Sequence, residues 1–245
     1  AGYPYHVEIT SGTLTLEAAT KNDHFFMEGD LNIISGAKLI AKLLDATASP
    51  GPWNQKGLVI AGDIINAGTL EMATDCHQAI SCDDFTNTGS TTLSPTAVGG
   101  DLYITGNFNN NGTAASSVNI NGRALIMTGS KDQVIGGSAA GTYAIDYFIV
   151  AKSGGKVALM HDMLSDGEAN GQAGGGAVTV NGAILDISGR IVQVSANTSN
   201  FYSTITCDAS GSIRTNESTK LYVLGDESTI NVGTLRFDQT TPGTT

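Results

Sequence analysis

The sequence predicts an all-β chain wound as one right-handed parallel β-helix, a β-solenoid with coils of about 21–23 residues and inserted loops. Three observations carry this. A corner element recurs at the spacing of one coil. Short strands of period two follow one another with no helix between them. The composition is rich in glycine and poor in charge: 31 glycines in 245 residues, and only 14% Asp, Glu, Lys and Arg, where a globular domain usually carries about a quarter.

The corner element reads Gly62-Asp63-Ile64-Ile65-Asn66-Ala67-Gly68-Thr69, then Asp83-Asp84-Phe85-Thr86-Asn87-Thr88-Gly89-Ser90, then Gly106-Asn107-Phe108-Asn109-Asn110-Asn111-Gly112-Thr113. From Asp63 to Asp84 is 21 residues and from Asp84 to Asn107 is 23. A looser copy runs from Gly29-Asp30-Leu31 to Gly36-Ala37. Units of this length cannot bury a core alone, so they stack. Asn66, Asn87 and Asn110 are expected to form one file. Asn tolerates left-handed backbone angles, and its amide can bond the amide of the next coil. Gly68, Gly89 and Gly112 are expected to supply positive φ. Ile64, Phe85 and Phe108 point inward. Asp63, Asp84 and Asn107 read as turn-formers, not as catalytic carboxylates.

Each element is then placed in order. Residues 1–28 read as an N-terminal cap or a first coil, because His6 to Thr10 and Thr13 to Leu16 alternate with period two. Lys38 to Asp45 has helical spacing on one face, but the repeat alignment favours a strand. Residues 46–56, with Pro50, Pro52 and the single Trp53, read as an inserted loop. Before the corners, Phe25, Leu58 and Leu102 share one register, and Met27, Ile60 and Ile104 another two residues on. Residues two apart share a face, so these point inward while Val59 and Tyr103 point away. Ala79 and Ser81 match weakly, so that coil shifts register. Further strands follow from Val118 to Val194, and residues 166–176 read as a second inserted loop. Ser203 to Phe237 holds more short strands. No second domain is marked; residues 1–245 form one β-helix domain.

The net charge of −11 repels phosphate backbones and argues against nucleic acid and against docking on anionic lipid. No apolar run approaches the roughly 18 residues of a membrane helix. The chain opens at Ala1, as a processed secreted protein or a trimmed chain does. Three cysteines are too few for a disulfide framework. Cys76 and Cys82 stand close enough around a bend to bridge, or to join His77 in a zinc site lacking its second ligand pair.

Catalysis on a β-helix would need carboxylates grouped on one face, or a cationic base for lyase chemistry. Asp75, Asp83 and Asp84 with His77 form one acidic group; His161, Asp162, Asp166 and Glu168 form another beside a Gly-rich stretch. The arginines are dispersed. No catalytic residue is assigned and no cofactor is expected. Calcium is the ion these acidic loops would accept, through Asp75, Asp83, Asp84, Asp166 and Glu168. An ice-binding surface would need Thr-x-Thr to recur at the coil period, which Thr13-Leu14-Thr15 and Thr204-Ile205-Thr206 do not.

The corner element, with Lys131-Asp132-Gln133-Val134-Ile135-Gly136-Gly137, the strand Tyr147 to Val150 and Gly154-Gly155-Lys156-Val157-Ala158-Leu159, resembles the β-solenoid, adhesin-like repeats of large secreted surface proteins of Bacteroidota. The likeness spans residues 58–190. It implies right-handed coiling, export to the cell surface, and a structural or adhesive role with no catalytic residues. The expected partners are a surface glycan or protein, or other copies of the chain in a filament. The alternative is a polysaccharide lyase or glycoside hydrolase on the same fold.

Overall fold

The computed structural model describes residues 3–18, 24–43, 56–74, 76–95, 99–166, 177–195, 204–215, 218–224, 229–232 and 235–237. These form a parallel β-solenoid in which each coil lays one strand on each of three walls. The first wall is a ten-stranded sheet running from Val7–Ile9 to Leu235–Phe237, and the third is nine-stranded, from Phe25–Met27 to Thr229–Val232. The second wall is two sheets: five strands from Thr13–Ala18 to Val118–Asn119, then four from Tyr143–Ala144 to Lys220–Leu224. Every strand pairing among the described residues is parallel, each strand with the one three places on, as a coil returning to the same wall requires.

Val7–Ile9, Thr13–Ala18 and Phe25–Met27 thus lie one on each wall in the first coil, and Lys38–Leu43 is a strand, as the repeat alignment expects. Its alternate residues Leu39, Ala41 and Leu43 are fully buried. Outward, Lys42 meets Glu17 at 2.8 Å and Lys38 meets Glu71 at 2.6 Å; exposed pairs of this kind contribute about 0–1 kcal/mol. The inserted segment at 46–56 and that at 166–176 lie almost wholly outside the described residues.

The bore between the walls is filled by one aliphatic and aromatic core. Leu58, Leu102 and Ile104 are fully buried and Ile60 nearly so. Along the first wall Leu31, Ile64, Phe85, Phe108 and Ile135 are directly paired. The rings of Phe85 and Phe108 stack with centroids 5.5 Å apart and 11° between planes. The expected register shift is present, with a definite cause. Ile80 and Cys82, not Ala79 and Ser81, pair with Leu102 and Ile104. The corner Cys82-Asp83-Asp84 is one residue shorter than Ile60-Ala61-Gly62-Asp63, so the strand before it slides by one and turns its other face inward.

Two short second-wall strands, Tyr143–Ala144 and Met163–Ser165, fall where the sequence pattern shows no strand. Tyr143 reopens the second wall after the break. Its ring meets Phe108 edge-on at 6.3 Å and stacks on His161 at 4.4 Å. Its hydroxyl lies within hydrogen-bond reach of the Asn110 and Gly136 carbonyls. A single turn of 3-10 helix, Ala115–Ser117, fills the corner just before the break.

Truncating Ile104 to Ala removes a fully buried side chain between Cys82 and Met127. The expected cost is about 2–5 kcal/mol, read from urea unfolding. An unchanged midpoint would place Ile104 outside the core.

Candidate functional site

The corner residues come together as one file. Asn66 pairs with Asn87, and Asn87 with Asn110, in direct register. All three are buried. Asn66 Nδ2 donates to Asn87 Oδ1 at 2.9 Å, and Asn87 Nδ2 donates to Asn110 Oδ1 at 3.1 Å. The file is tied to the second wall through Thr91, which receives Asn66 Nδ2 at 3.0 Å and donates to Asn87 Oδ1 at 3.1 Å. Beyond the file, Asn110 Nδ2 donates to the Ala115 carbonyl at 3.0 Å. Every amide is thus spent on the fold, and none is left to a ligand.

Backbone conformation is not why these residue types are used. Asn121 is the sole non-glycine with positive φ among the described residues, and Gly68, Gly89 and Gly112 do not have it. The glycines are required by close approach. A Cβ on Gly68 would lie 2.3 Å from the Ala37 carbonyl oxygen, and one on Gly89 would lie 2.1 Å from that of Gly68. On Gly112 it would meet the Ser117 side chain at 2.4 Å.

A second file runs along the corner between the third and first walls. His6 Nδ1 accepts the Asp30 N–H at 2.9 Å. Asp30 Oδ1 accepts from Asp63 N at 2.9 Å, and Asp63 Oδ1 from Asp84 N at 3.0 Å. Asp84 Oδ1 accepts from Asn107 N at 2.5 Å, and Asn107 Oδ1 from Val134 N at 2.9 Å. Each acceptor satisfies a backbone donor one coil on, at a place where the sheet ladder is interrupted. Asp83 stands beside this file and receives the Thr105 hydroxyl at 2.9 Å. Burial raises the Asp63 carboxyl above its ordinary value. The Asp84 N–H pulls it down, while the charges of Asp84, Asp30 and Asp83 push it further up.

Among the described residues the candidate calcium ligands do not gather. Asp83 and Asp84 are adjacent on that corner, Asp166 is on another corner several coils along, and Asp75 and Glu168 lie outside the described residues. No three metal-ligating side chains gather among the described residues. Cys76, Cys82 and Cys207 are buried thiols that form no disulfide, so Cys76 and Cys82 are not bridged. Cys76 Sγ lies 3.5 Å from the Gln78 carbonyl, and burial pushes the Cys82 thiol far up.

Two polar groups escape sequence reasoning. One is Gln133 with Lys152, both buried. Gln133 faces inward on the first wall, and its amide donates to the Ile104 and Gly106 carbonyls. Its oxygen receives Lys152 Nζ, which also donates to the Lys131 carbonyl at 2.8 Å. Burial lowers the Lys152 ammonium, with Asp132 opposing. The Gln-x-Ile spacing of residues 133–135 thereby acquires a physical meaning. Gln133 closes a corner from inside, and Ile135 fills the core.

The other group lies on the outer face of the third wall. Tyr103 does point away from the bore, yet it is 7% exposed; with Ala79, Ala124 and Ile126 it forms a second apolar cluster, flanked by Tyr147 and Ile149. Asp101, Arg123 and Asp146, each just before a third-wall strand, sit at its margin and are buried too. Asp101 Oδ1 accepts the Ala124 N–H at 2.9 Å and Asp146 Oδ2 the Gly122 N–H at 2.5 Å. Arg123 Nη1 donates to the Gly99 carbonyl at 3.3 Å. Burial raises Asp101, against the Ala124 N–H and Arg123, and lowers Arg123. Burial, and then Asp101, pushes Tyr103 up to about 12. The shared position before successive third-wall strands is the signal that could have found this group. Perturbed groups mark active sites often enough to be examined, but both carboxylates here already accept backbone N–H groups. At 5–7% exposure Asp101, Arg123, Asp146 and Tyr103 offer no open face to a substrate.

Compared with known proteins, the chain matches no family model, no curated protein and no solved structure.

Two substitutions test the files. Asn87→Ala strands the Asn66 and Asn110 amide groups and should cost about 1–3 kcal/mol; Asn109→Ala, on the outer face of the same strand, should stay within about 0.5 kcal/mol. Equal costs in urea unfolding would refute the buried file. Asp63 has a raised folded-state pKa, so its contribution is fully present below the ordinary carboxylate range and is lost as pH rises through the raised value. Asp63→Asn keeps the acceptor, as Asn107 does, without the charge. The variant should melt higher than the parent at pH 7 and show a flatter pH dependence from pH 4 to 7. A lower melting point at pH 7 would contradict this account.

Proposed function

We propose that this protein is a non-enzymatic, extracellular structural element of a bacterial surface. It acts as a rigid solenoid shaft that serves as an adhesin segment or a filament subunit and presents its inserted segments to a surface glycan or protein. The observation that carries this reading is the use of its polar side chains. Asn66, Asn87 and Asn110, and Asp30, Asp63, Asp84 and Asn107, are consumed as rungs between coils. A chain built this way stiffens an axis, and no three metal-ligating side chains gather among its described residues. The resemblance of residues 58–190 to secreted adhesin-like repeats supports export. The charge of −11 suits a solvated exterior.

Ten first-wall strands at about 4.8 Å spacing give a shaft of about 43 Å. Small-angle scattering should return a rod of at least that length. Incubation with pectin, alginate or similar polyanions should release no unsaturated or reducing product. Product release that disappears in an Asp83→Asn/Asp84→Asn or an Asp101→Asn variant would replace this reading with the carbohydrate-active enzyme.

A further inference from the structure

The second wall is broken at one step that the other two walls cross. The third wall crosses it with four residue pairs, from Ala124 with Tyr147 to Met127 with Val150. On the outer face of that wall Ile126 lies in the second apolar cluster with Tyr147 against it, and Asp146 Oδ2 accepts the Gly122 N–H. The first wall crosses with two pairs, Phe108 with Ile135 and Asn109 with Gly136, against three at the steps before and after. The second wall does not cross. Val118–Asn119 pairs only with Ser90–Thr92, and Tyr143–Ala144 only with Met163–Ser165. Residues 99–166 are all described, so the break is an internal feature of the fold. Every other step from the coil of Val7–Ile9 to that of Ser212–Thr215 carries a ladder on all three walls. Coil length accompanies the break: from Asn107 to Val134 is 27 residues, where the preceding steps take 23 and 21. The longer coil places its 3-10 turn, Ala115–Ser117, ahead of its second-wall strand, and Ser138 to Gly141 of the next coil faces that turn. Both lips, Ala114 to Ser117 and Ser138 to Gly141, are alanine, serine and glycine, so no long side chain interlocks them. Ala115 N donates across to the Ala140 carbonyl at 2.8 Å. Behind the lips lies a small cavity, lined mainly by Phe108, Val118, Ile120, Tyr143 and Ile145.

We infer that this step is a hinge: the coils ending at Met127 and those beginning at Gln133 move as two rigid segments about the third wall, and the second-wall seam between Asn119 and Ala144 opens and closes. The pivot is the wall with the longest ladder across the step and a buried cluster on its outer face. The first wall, with two pairs, bends. The second wall, with no ladder, gapes. Such motion is absorbed by a few residues between packed bodies, and the cavity behind the lips gives slack that a close-packed core denies. Tyr143 supplies a contact for both positions. Its hydroxyl carries one proton, and two carbonyls lie within its reach. Asn110, on the coil before the seam, is at 3.2 Å, and Gly136, on the same coil as Tyr143, is at 3.0 Å. Donation to Asn110 closes the seam. Donation to Gly136 releases it without stranding a buried donor. Burial pushes the phenol up to about 12, so the proton is present at any ordinary pH. The shaft is then two stiff segments with one set direction of bending, whatever its exposed segments bind.

Pulsed electron double resonance between spin labels on paired cysteines tests the motion; the native thiols are buried. Three double variants each place labels four coils apart. Thr92→Cys with Gln193→Cys spans the step on the second wall, and Ala61→Cys with Ala151→Cys spans it on the third. Thr15→Cys with Asn119→Cys lies on the second wall within one segment. The last two pairs should each give one narrow distance near four strand spacings, about 19 Å. The Thr92 and Gln193 pair should give a broader distribution that extends to longer distances. Equal widths for all three pairs would overturn the hinge. Amide hydrogen exchange of the unaltered chain gives a second reading at the same step. Ala115 N–H bonds Ala140 across the seam, and Ser153 N–H bonds Gly129 across the third wall. Corrected for intrinsic rates, Ala115 should exchange about tenfold faster than Ser153 or more, as a locally opening bond does. Protection of Ala115 equal to that of Ser153 would show a seam that stays shut and would overturn the inference.

Discussion

Parallel pairing between coils sets each residue beside its counterpart one turn on, about 4.8 Å away, and the rest of the molecule answers to that spacing. A side chain in a solenoid has the same two neighbours whatever else surrounds it, and those neighbours occupy its own position in the adjacent coils. Identity at one position therefore commits the next. Leu31, Ile64, Phe85, Phe108 and Ile135 are one decision made five times along the first wall. Corners obey the same rule more severely, because there backbones of successive coils come within reach of a missing Cβ, as at Gly68 and Gly89.

Like on like has different consequences for different chemistry. An amide carries both donor and acceptor, so a stack of asparagines satisfies itself: Asn66 gives to Asn87 and Asn87 to Asn110. A carboxylate only accepts, so stacked aspartates cannot bond one another and also repel. The chain resolves this by pointing each at a backbone N–H of the next coil. The repulsion remains, and adds to burial in raising the Asp63 carboxyl. At the next position the file changes to Asn107, which keeps the acceptor and drops the charge. The Asn file ends after Asn110 for a steric reason. The next coil has Gly137 at φ 121, where a Cβ would lie 2.0 Å from the Asn110 carbonyl oxygen.

These rules explain what could be read from the sequence. The Asn file was legible because two successive steps of 21 and 23 residues preserve both the asparagine and the glycine two places on. The inward rows were legible from period two. The wrong reason was assigned to the glycines, since positive φ and close approach select the same residue and only coordinates tell them apart. The buried outer face of the third wall was hidden because alternation says which way Tyr103 points but not what lies beyond it. The strand Tyr143–Ala144 was hidden because two residues hold no period. Gln133 and Lys152 were hidden because a polar residue inside a bore contradicts the pattern used to find the bore; it is tolerated because every polar end reaches a carbonyl or an amide.

The same constraint shapes where such a chain can vary. A corner closed by a glycine against the preceding backbone admits no insertion without breaking the file beside it. The corner between first and second walls is held this way by Gly68 and Gly89, and that between third and first by the Asp30–Asn107 acceptors. The long segments 44–55, 167–176 and 196–203 each connect a second-wall strand to a third-wall strand instead. They differ in length, yet the third-wall strands that follow them stay in parallel register. Length and sequence can change there without disturbing the shaft. For a solenoid whose polar side chains are committed to its own axis, that junction is where the length of a coil varies, and the buried Asp101, Arg123 and Asp146 cluster stands at its third-wall side.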